Sequence, residues 1–400
     1  MQETHLSPSR LTASIVFFLG FATFLPVGST YLALIALLPL ATVRFREGWR
    51  QINRLWIMAL SLLLIWPLTS LVFSHNDHFT DRYLHSIRLA ICLTIALVLS
   101  KDEQRLLMRG FLWGSAAAIA VVVTHHLLRP LPDWAVWRQL LSVTGNGSSQ
   151  KWIMLATVPI SALLLVLDHK TIRAQCVLMM LAIAAVVVVS AFSISRNAYL
   201  VAIASVFFAV IYRYRSSKAW LAGLALMVIF AVAGYISSET VQYRIVLASE
   251  ELESFFTLGR FDSSIGVRAM MYWTALQTMQ EHWFLGSGLG SWQAIWQVVS
   301  VPFPSQAGLN NPHNDFLLWG METGVLGLLT LVFICFLALR TSWVHNNPIA
   351  AIGWLMTWSL VLTALVNAPF RDGALGMSMT VLAVALSHYK TVEKPHGRVA

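Results

Sequence analysis

Apolar runs of membrane-crossing length recur along this chain and leave few folds open to it. A transmembrane helix needs about 20 apolar residues, with shorter spans possible at roughly 17. The first run, 11–43, is long enough for a hairpin of two short spans broken near Pro26 and Gly28. Further runs occupy 55–73, 84–99, 106–128, 152–167, 174–192, 197–212, 219–236, 316–339, 349–366 and 374–388. The expected fold is therefore an all-α polytopic membrane bundle of about 12 spans. Composition agrees, because only 11% of the residues are charged, against about 25% in soluble domains. A soluble globule, a disordered chain and a small disulfide scaffold are excluded. The 16 Trp and 21 Phe suit aromatic belts at the two membrane interfaces. Cys92, Cys176 and Cys335 lie in apolar runs without metal-ligand spacing and read as small core residues. Arg10 precedes the first run with no small-x-small cleavage site, so an uncleaved span is expected.

Basic residues orient the bundle. With the N-terminus inside, sixteen Lys and Arg fall on inner segments and nine on outer ones, while Arg88 and Arg109 lie near span ends, where they can snorkel. The positive-inside rule then places both termini in the cytoplasm. The net charge of +9 is thus largely a topology signal, and no clustered basic module points to nucleic acid. The outer nine are Arg82, Arg129, Arg138, Lys151, Arg196, Arg244, Arg260, Arg268 and Arg371. Ion-coupled transport places ionisable groups near the midplane on repeated, interrupted helices. No repeat is evident here, and Glu322, the deepest, stands about two turns inside its span from the outer face.

Between 236 and 316 the chain leaves the apolar regime, and a connection of that length is usually functional or disordered. Order is expected. Val241, Ile245, Ala248, Leu252 and Phe255 recur at helical spacing, with Glu250, Glu251 and Glu253 on a solvated face. Asp262, Ser263 and Ser264 are N-cap candidates for a second helix over 265–284 that ends at Gly286 and lies on the membrane plane. Gly286-Ser287-Gly288-Leu289-Gly290 follows; it lacks the strand of a dinucleotide fold and reads as a tight, closely packed turn more readily than as a phosphate loop. A Pro-rich turn then reaches Asn311-Pro312-His313-Asn314-Asp315. The expected organisation is a bundle over 1–236, an outer loop domain over 237–315, and a closing membrane segment with a cytoplasmic tail over 316–400.

Three outer residues stand at helix mouths: Arg196 at the start of a span, Arg268 early in the second loop helix, and His313 just before the next span. Helix N-termini favour anions, and the guanidinium fork matches phosphate oxygens. A histidine beside such charge is held neutral and can act as a base. Taken singly, each has a plainer reading as a headgroup contact or a cap. Glu322 is open between a structural ion pair and a role in the site.

The Asn311-Pro312-His313-Asn314-Asp315 segment with Leu317, Gly324 and Gly327, the pairing of Arg268 and Trp273 with the glycine turn, and Arg196 opening a span together resemble the O-antigen ligase family (WaaL) of the O-antigen ligase and polymerase superfamily. The motifs occupy mainly 190–330. The resemblance implies a bacterial inner-membrane glycosyltransferase acting at the periplasmic face. Its donor would be an undecaprenyl-pyrophosphate-linked glycan and its acceptor the lipid A–core oligosaccharide, with no cofactor or metal. It further implies His313 as general base and Arg196 and Arg268 as pyrophosphate ligands, with Asn314, Asp315 and Glu322 as supporting residues. An O-antigen polymerase or a protein O-oligosaccharyltransferase would share this chemistry. A lipid-glycan flippase is the alternative of another class; it predicts charges lining a cavity across the bilayer instead of charges gathered at one face.

Overall fold

The computed structural model describes residues 9–74, 77–127, 149–167, 169–193, 195–237, 239–259, 261, 263–301 and 304–389. Arg129, Arg138, Arg260, Asp262 and the tail from 390 onward lie outside the described residues. Nine helices come first: α1 (Arg10–Phe21), α2 (Val27–Gly48), α3 (Arg54–Ile65), α4 (Phe79–Val98), α5 (Lys101–Leu127), α6 (Ser149–Val166), α7 (Ile172–Phe192), α8 (Arg196–Tyr214) and α9 (Ser217–Ser237). The long insertion forms α10 (Glu239–Leu258), α11 (Ser264–Glu281) and α12 (Ser291–Val299), and α13 (Asp315–His345), α14 (Pro348–Val366) and α15 (Gly373–Ser387) close the chain. No strand occurs among the described residues.

The protein is an all-α polytopic bundle, and each of the twelve apolar stretches read from the sequence coincides with a helix. Among the described residues, eight helices are long and apolar enough to cross a membrane, α3 being counted with the 3-10 segment that continues it to Val72, while α1, α6 and α15 belong to a shorter apolar group. Helix α4 belongs to neither, because Asp81, Arg82 and Arg88 crowd its first half. The end of the bundle that carries the 239–314 insertion is called the outer end below.

Local chemistry sets the boundaries. Side-chain oxygens of Asn53, Ser195, Ser263, Asn314 and Asn347 accept the early N–H groups of α3, α8, α11, α13 and α14, satisfying donors that a helix start leaves open. Helices α1 and α5 meet backbone to backbone: a Cβ on Gly110 would stand 1.9 Å from the Phe17 carbonyl oxygen. Small residues permit such an approach, as in membrane helix pairs generally. Helix α9 buries only Ala219 and Gly223 and forms a lipid-facing edge.

The insertion is folded, as expected, and differs from the sequence reading in detail. Helix α11 is capped by Ser263 and stops at Glu281, short of the expected 284. One of its faces buries Val267, Met271 and Ala275 against Trp292, Trp296 and, from α13, Leu318 and Met321. The other leaves Trp273 and Leu276 exposed, and Trp283 is exposed just past the helix end. Helix α12 replaces part of the expected turn; its Trp292 and Trp296 stack at 5.3 Å. Cys176 is exposed on α7, whereas Cys92 and Cys335 are buried as anticipated.

Candidate active site

The glycine turn and a break in α13 build the platform of the site. At Gly324 the backbone leaves helical geometry (φ 69°, ψ −169°). This opens the carbonyls of Met321 and Glu322, which accept the N–H groups of Ser287 (2.8 Å) and Gly288 (3.1 Å), while Val325 N–H reaches the Trp283 carbonyl (2.9 Å). A Cβ at Gly324 would lie 2.0 Å from the Phe284 carbonyl oxygen, so only glycine fits. The turn donates to protein carbonyls, which bears out the close-packing reading over the phosphate loop.

Four residues of the Asn-Pro-His-Asn-Asp segment make contacts that set the geometry of the site. Asn311 Oδ1 accepts His313 N–H at 2.8 Å and holds His313 at φ 52° in the left-handed region. Asn314 caps α13 through Leu317 N–H at 3.0 Å and donates its amide to the Leu365 carbonyl at 2.9 Å. Asp315, fully buried, accepts Phe370 N–H at 2.7 Å and so ties the α14–α15 turn to the start of α13. The half-buried His313 ring points Nδ1 at Asn367 Oδ1, 3.3 Å away. That oxygen also accepts Ala368 N–H at 2.9 Å. Asn367 is therefore the acceptor and His313 Nδ1–H the donor, which leaves Nε2 as the lone-pair nitrogen of the neutral ring.

Arg268 is brought to this histidine. It stands one helical turn before Tyr272 on α11, and Tyr272 donates its hydroxyl to the His313 carbonyl (3.2 Å) and the Leu365 carbonyl (3.1 Å). Burial pushes the His313 imidazole below its ordinary value; the Asn367 bond opposes this, and the charges of Arg268 and Arg371 add to it. Burial likewise raises the Tyr272 phenol, against the neighbouring Arg268 charge. Arg268 is half-buried and makes no ion pair or hydrogen bond with the described residues. It is a cation beside a base, open to an anion.

Arg196 is placed differently. It opens α8 as expected, but its Nη2 lies 3.9 Å from Glu251 Oε1 on α10. Glu251 Oε2 in turn accepts the Ile265 N–H in the first turn of α11, at 3.2 Å. A carboxylate thus occupies the expected anion position at that helix mouth, and Glu251 is not part of a solvated face. Arg196 and Arg268 are linked through this carboxylate and the start of α11; no hydrogen bond or ion pair joins Arg196 to His313 among the described residues. An apolar cavity of about 240 Å³ runs beside α8 from Tyr199, one turn below Arg196, toward Phe230 on α9.

Beneath His313 lies a buried charged group that the sequence reading only half identified. Glu322 Oε1 is 3.3 Å from Arg82 Nε, and both side chains are 3% exposed. Arg82 Nη2 and Arg371 Nη1 each donate to the Asn310 carbonyl at 2.6 Å, three residues before His313. Arg371 is pushed down to about 10, first by burial and then by the Arg82 charge, and stays cationic at neutral pH. Arg82, His85, Glu322 and Arg371 line a cavity of about 20 Å³, the size of one water molecule. Arg88 is no snorkelling anchor: it donates to Tyr31 Oη at 3.0 Å and to the carbonyls of Phe370 and Arg371. Arg82 and Arg371 belonged to the nine outer cations, so charge on the wrong side of the topology rule was their signal. Uncharged Asn367 and Tyr272 carried none.

Among the described residues, the buried charged side chains keep to the ends of the bundle. Arg82, Lys151, Asp315 and Glu322 sit toward the outer end, and Glu103 at the inner end. No match to the chain is found among curated proteins. Residues 183–332, from the middle of α7 through the break in α13, match the family model described as O-antigen ligase. That stretch contains Arg196, Arg268, His313 and Glu322, and over it the chain is similar to the O-antigen ligase family.

Proposed function

We propose that this protein is an O-antigen ligase, an inverting glycosyltransferase of the bacterial inner membrane that works at the periplasmic face. It moves a glycan from undecaprenyl pyrophosphate to the lipid A–core oligosaccharide. The observation that carries the reading is the pairing of a neutral His313, with Nε2 as its lone-pair nitrogen, and the unpartnered guanidinium of Arg268. His313 Nε2 takes the proton of an acceptor hydroxyl as its oxygen bonds to the anomeric carbon. The bond from that carbon to the pyrophosphate oxygen breaks, and its electron pair leaves on the phosphate. A base of this kind contributes about 10²- to 10⁴-fold. Arg268 stabilises the departing charge, an electrostatic contribution that can be larger. Arg196 joins it when the donor's phosphate displaces the loosely held Glu251. The apolar cavity beside α8 suits the first isoprene units of the donor. Gathering of charge at the outer end supports transfer over flipping.

The test is reconstitution of the full chain in liposomes with a lipid-linked glycan donor and rough lipopolysaccharide. Glycan is expected on lipopolysaccharide with the wild type and none with His313→Ala, which should insert and purify normally. Full activity in that variant overturns the general-base role. Glycan found instead on a second lipid-linked donor identifies a polymerase. Transfer is expected to persist in excess EDTA, since arginines supply the positive charge; collapse there overturns the metal-independent mechanism.

A further inference from the structure

At the end of the bundle opposite His313, the ends of α2, α4, α13 and α15 and the start of α3 surround a cleft of about 520 Å³. This volume is in the range of small-ligand sites. Arg44 of α2 and Arg340 of α13 line it, together with His345 and His388, and no Asp or Glu does. Arg44 is fixed in place: its Nη1 lies 2.6 Å from Glu103 Oε2, and that buried carboxylate also accepts Ser100 N–H and Oγ–H at 2.8 and 2.9 Å. Arg340 is exposed and makes no ion pair or hydrogen bond with the described residues. The remaining wall mixes polar Gln51, Asn53 and Thr341 with apolar Ile52, Trp56, Leu97, Val98, Leu337 and Val344.

We propose that this cleft binds the phosphate headgroup of an acidic glycerophospholipid of the cytoplasmic leaflet. Basic pockets between membrane helices on that side recognise such headgroups. Arg44 offers a held guanidinium and Arg340 a movable one, which folds down onto the phosphate. An acyl chain then descends along the apolar side of the wall, formed by Leu97, Val98, Leu337 and Val344, an attachment that a free anion would lack. The proposal rests on the orientation read from the basic residues and not on the transfer chemistry at His313.

The full chain, purified in mild detergent, is incubated with phosphatidylglycerol or phosphatidylcholine of matched acyl chains, and bound lipid is counted by native mass spectrometry. Phosphatidylglycerol is expected to be retained in preference. Arg340→Gln should weaken its retention about fivefold, corresponding to the ~1 kcal/mol that one surface cation contributes toward an anionic leaflet. Arg213→Gln removes a cation at the same end but outside the cleft and should leave retention unchanged. Equal retention of the two lipids, or equal loss in both variants, overturns the proposal. Displacement of the lipid by millimolar inorganic phosphate also overturns it and assigns the cleft to a free anion.

Discussion

A histidine can serve as a base only if it is neutral and presents the correct nitrogen, and at His313 two neighbours divide that work. Asn367 takes the Nδ1 proton and leaves Nε2 as acceptor, while burial and the Arg268 charge keep the ring from protonating. Activity should therefore fall on the acid side only as the pH drops through a value below that of an ordinary histidine. Arg268→Gln removes a lowering influence, so the acid limb of kcat/KM against pH should move up as the rate falls. Asn367→Ala removes a raising influence; its acid limb should move down, with a reduced plateau because the tautomer is no longer held. Limbs that stay fixed in both variants would separate His313 from the rate. His313 and Arg268 were legible in the sequence because one carries a motif and the other a charge on the wrong side of the membrane. Asn367 was not, since it lies 54 residues further along and its turn is brought to the ring by tertiary contacts from Asn314, Asp315 and Arg371.

Helix α13 does its work by being broken. A continuous helix would keep the Met321 and Glu322 carbonyls for itself; the break at Gly324 gives them to the glycine turn and so docks the outer cap on the bundle. Gly324→Ala combines an unfavourable φ with a clash against Phe284 and should cost at least ~2 kcal/mol. Gly28→Ala meets nothing within 4 Å and should be neutral. Thermal melts of the detergent-solubilised protein distinguish the two. The Arg82–Glu322 pair makes a sharper case. Glu322→Ala strands a buried guanidinium and should cost about 3–5 kcal/mol. The double variant Arg82→Met with Glu322→Leu should recover most of that stability yet transfer poorly, because Asn310 loses one of the two arginines that hold the His313 segment. Full activity in the double variant would reduce the pair to packing. The depth of Glu322 was visible in the apolar pattern, but its partner on α4, 240 positions earlier, was not. Helix α12 was hidden for a local reason: glycines before it and prolines after it masked the short Trp292–Trp296 repeat.

Twelve apolar stretches and an uneven distribution of Lys and Arg made the bundle readable, because in a bilayer both patterns answer directly to the solvent. Convergence of the loop onto the helices is a packing property with no such pattern, and Glu251, read as solvent-facing, closes one helix mouth for that reason. The orientation itself can be tested without any substrate. Cys176 is the one exposed cysteine among the described residues, so Cys176→Ser provides a background in which Cys92 and Cys335 are shielded. Gln297→Cys places a thiol on the exposed side of α12, and Ser217→Cys places one at the start of α9, at the opposite end of the bundle. In intact cells a membrane-impermeant maleimide should label position 297 at once and position 217 only after the membrane is permeabilised. The reverse pattern would put His313 and Arg268 in the cytoplasm. It would remove the periplasmic reaction and, with it, the cytoplasmic-leaflet assignment of the Arg44–Arg340 cleft.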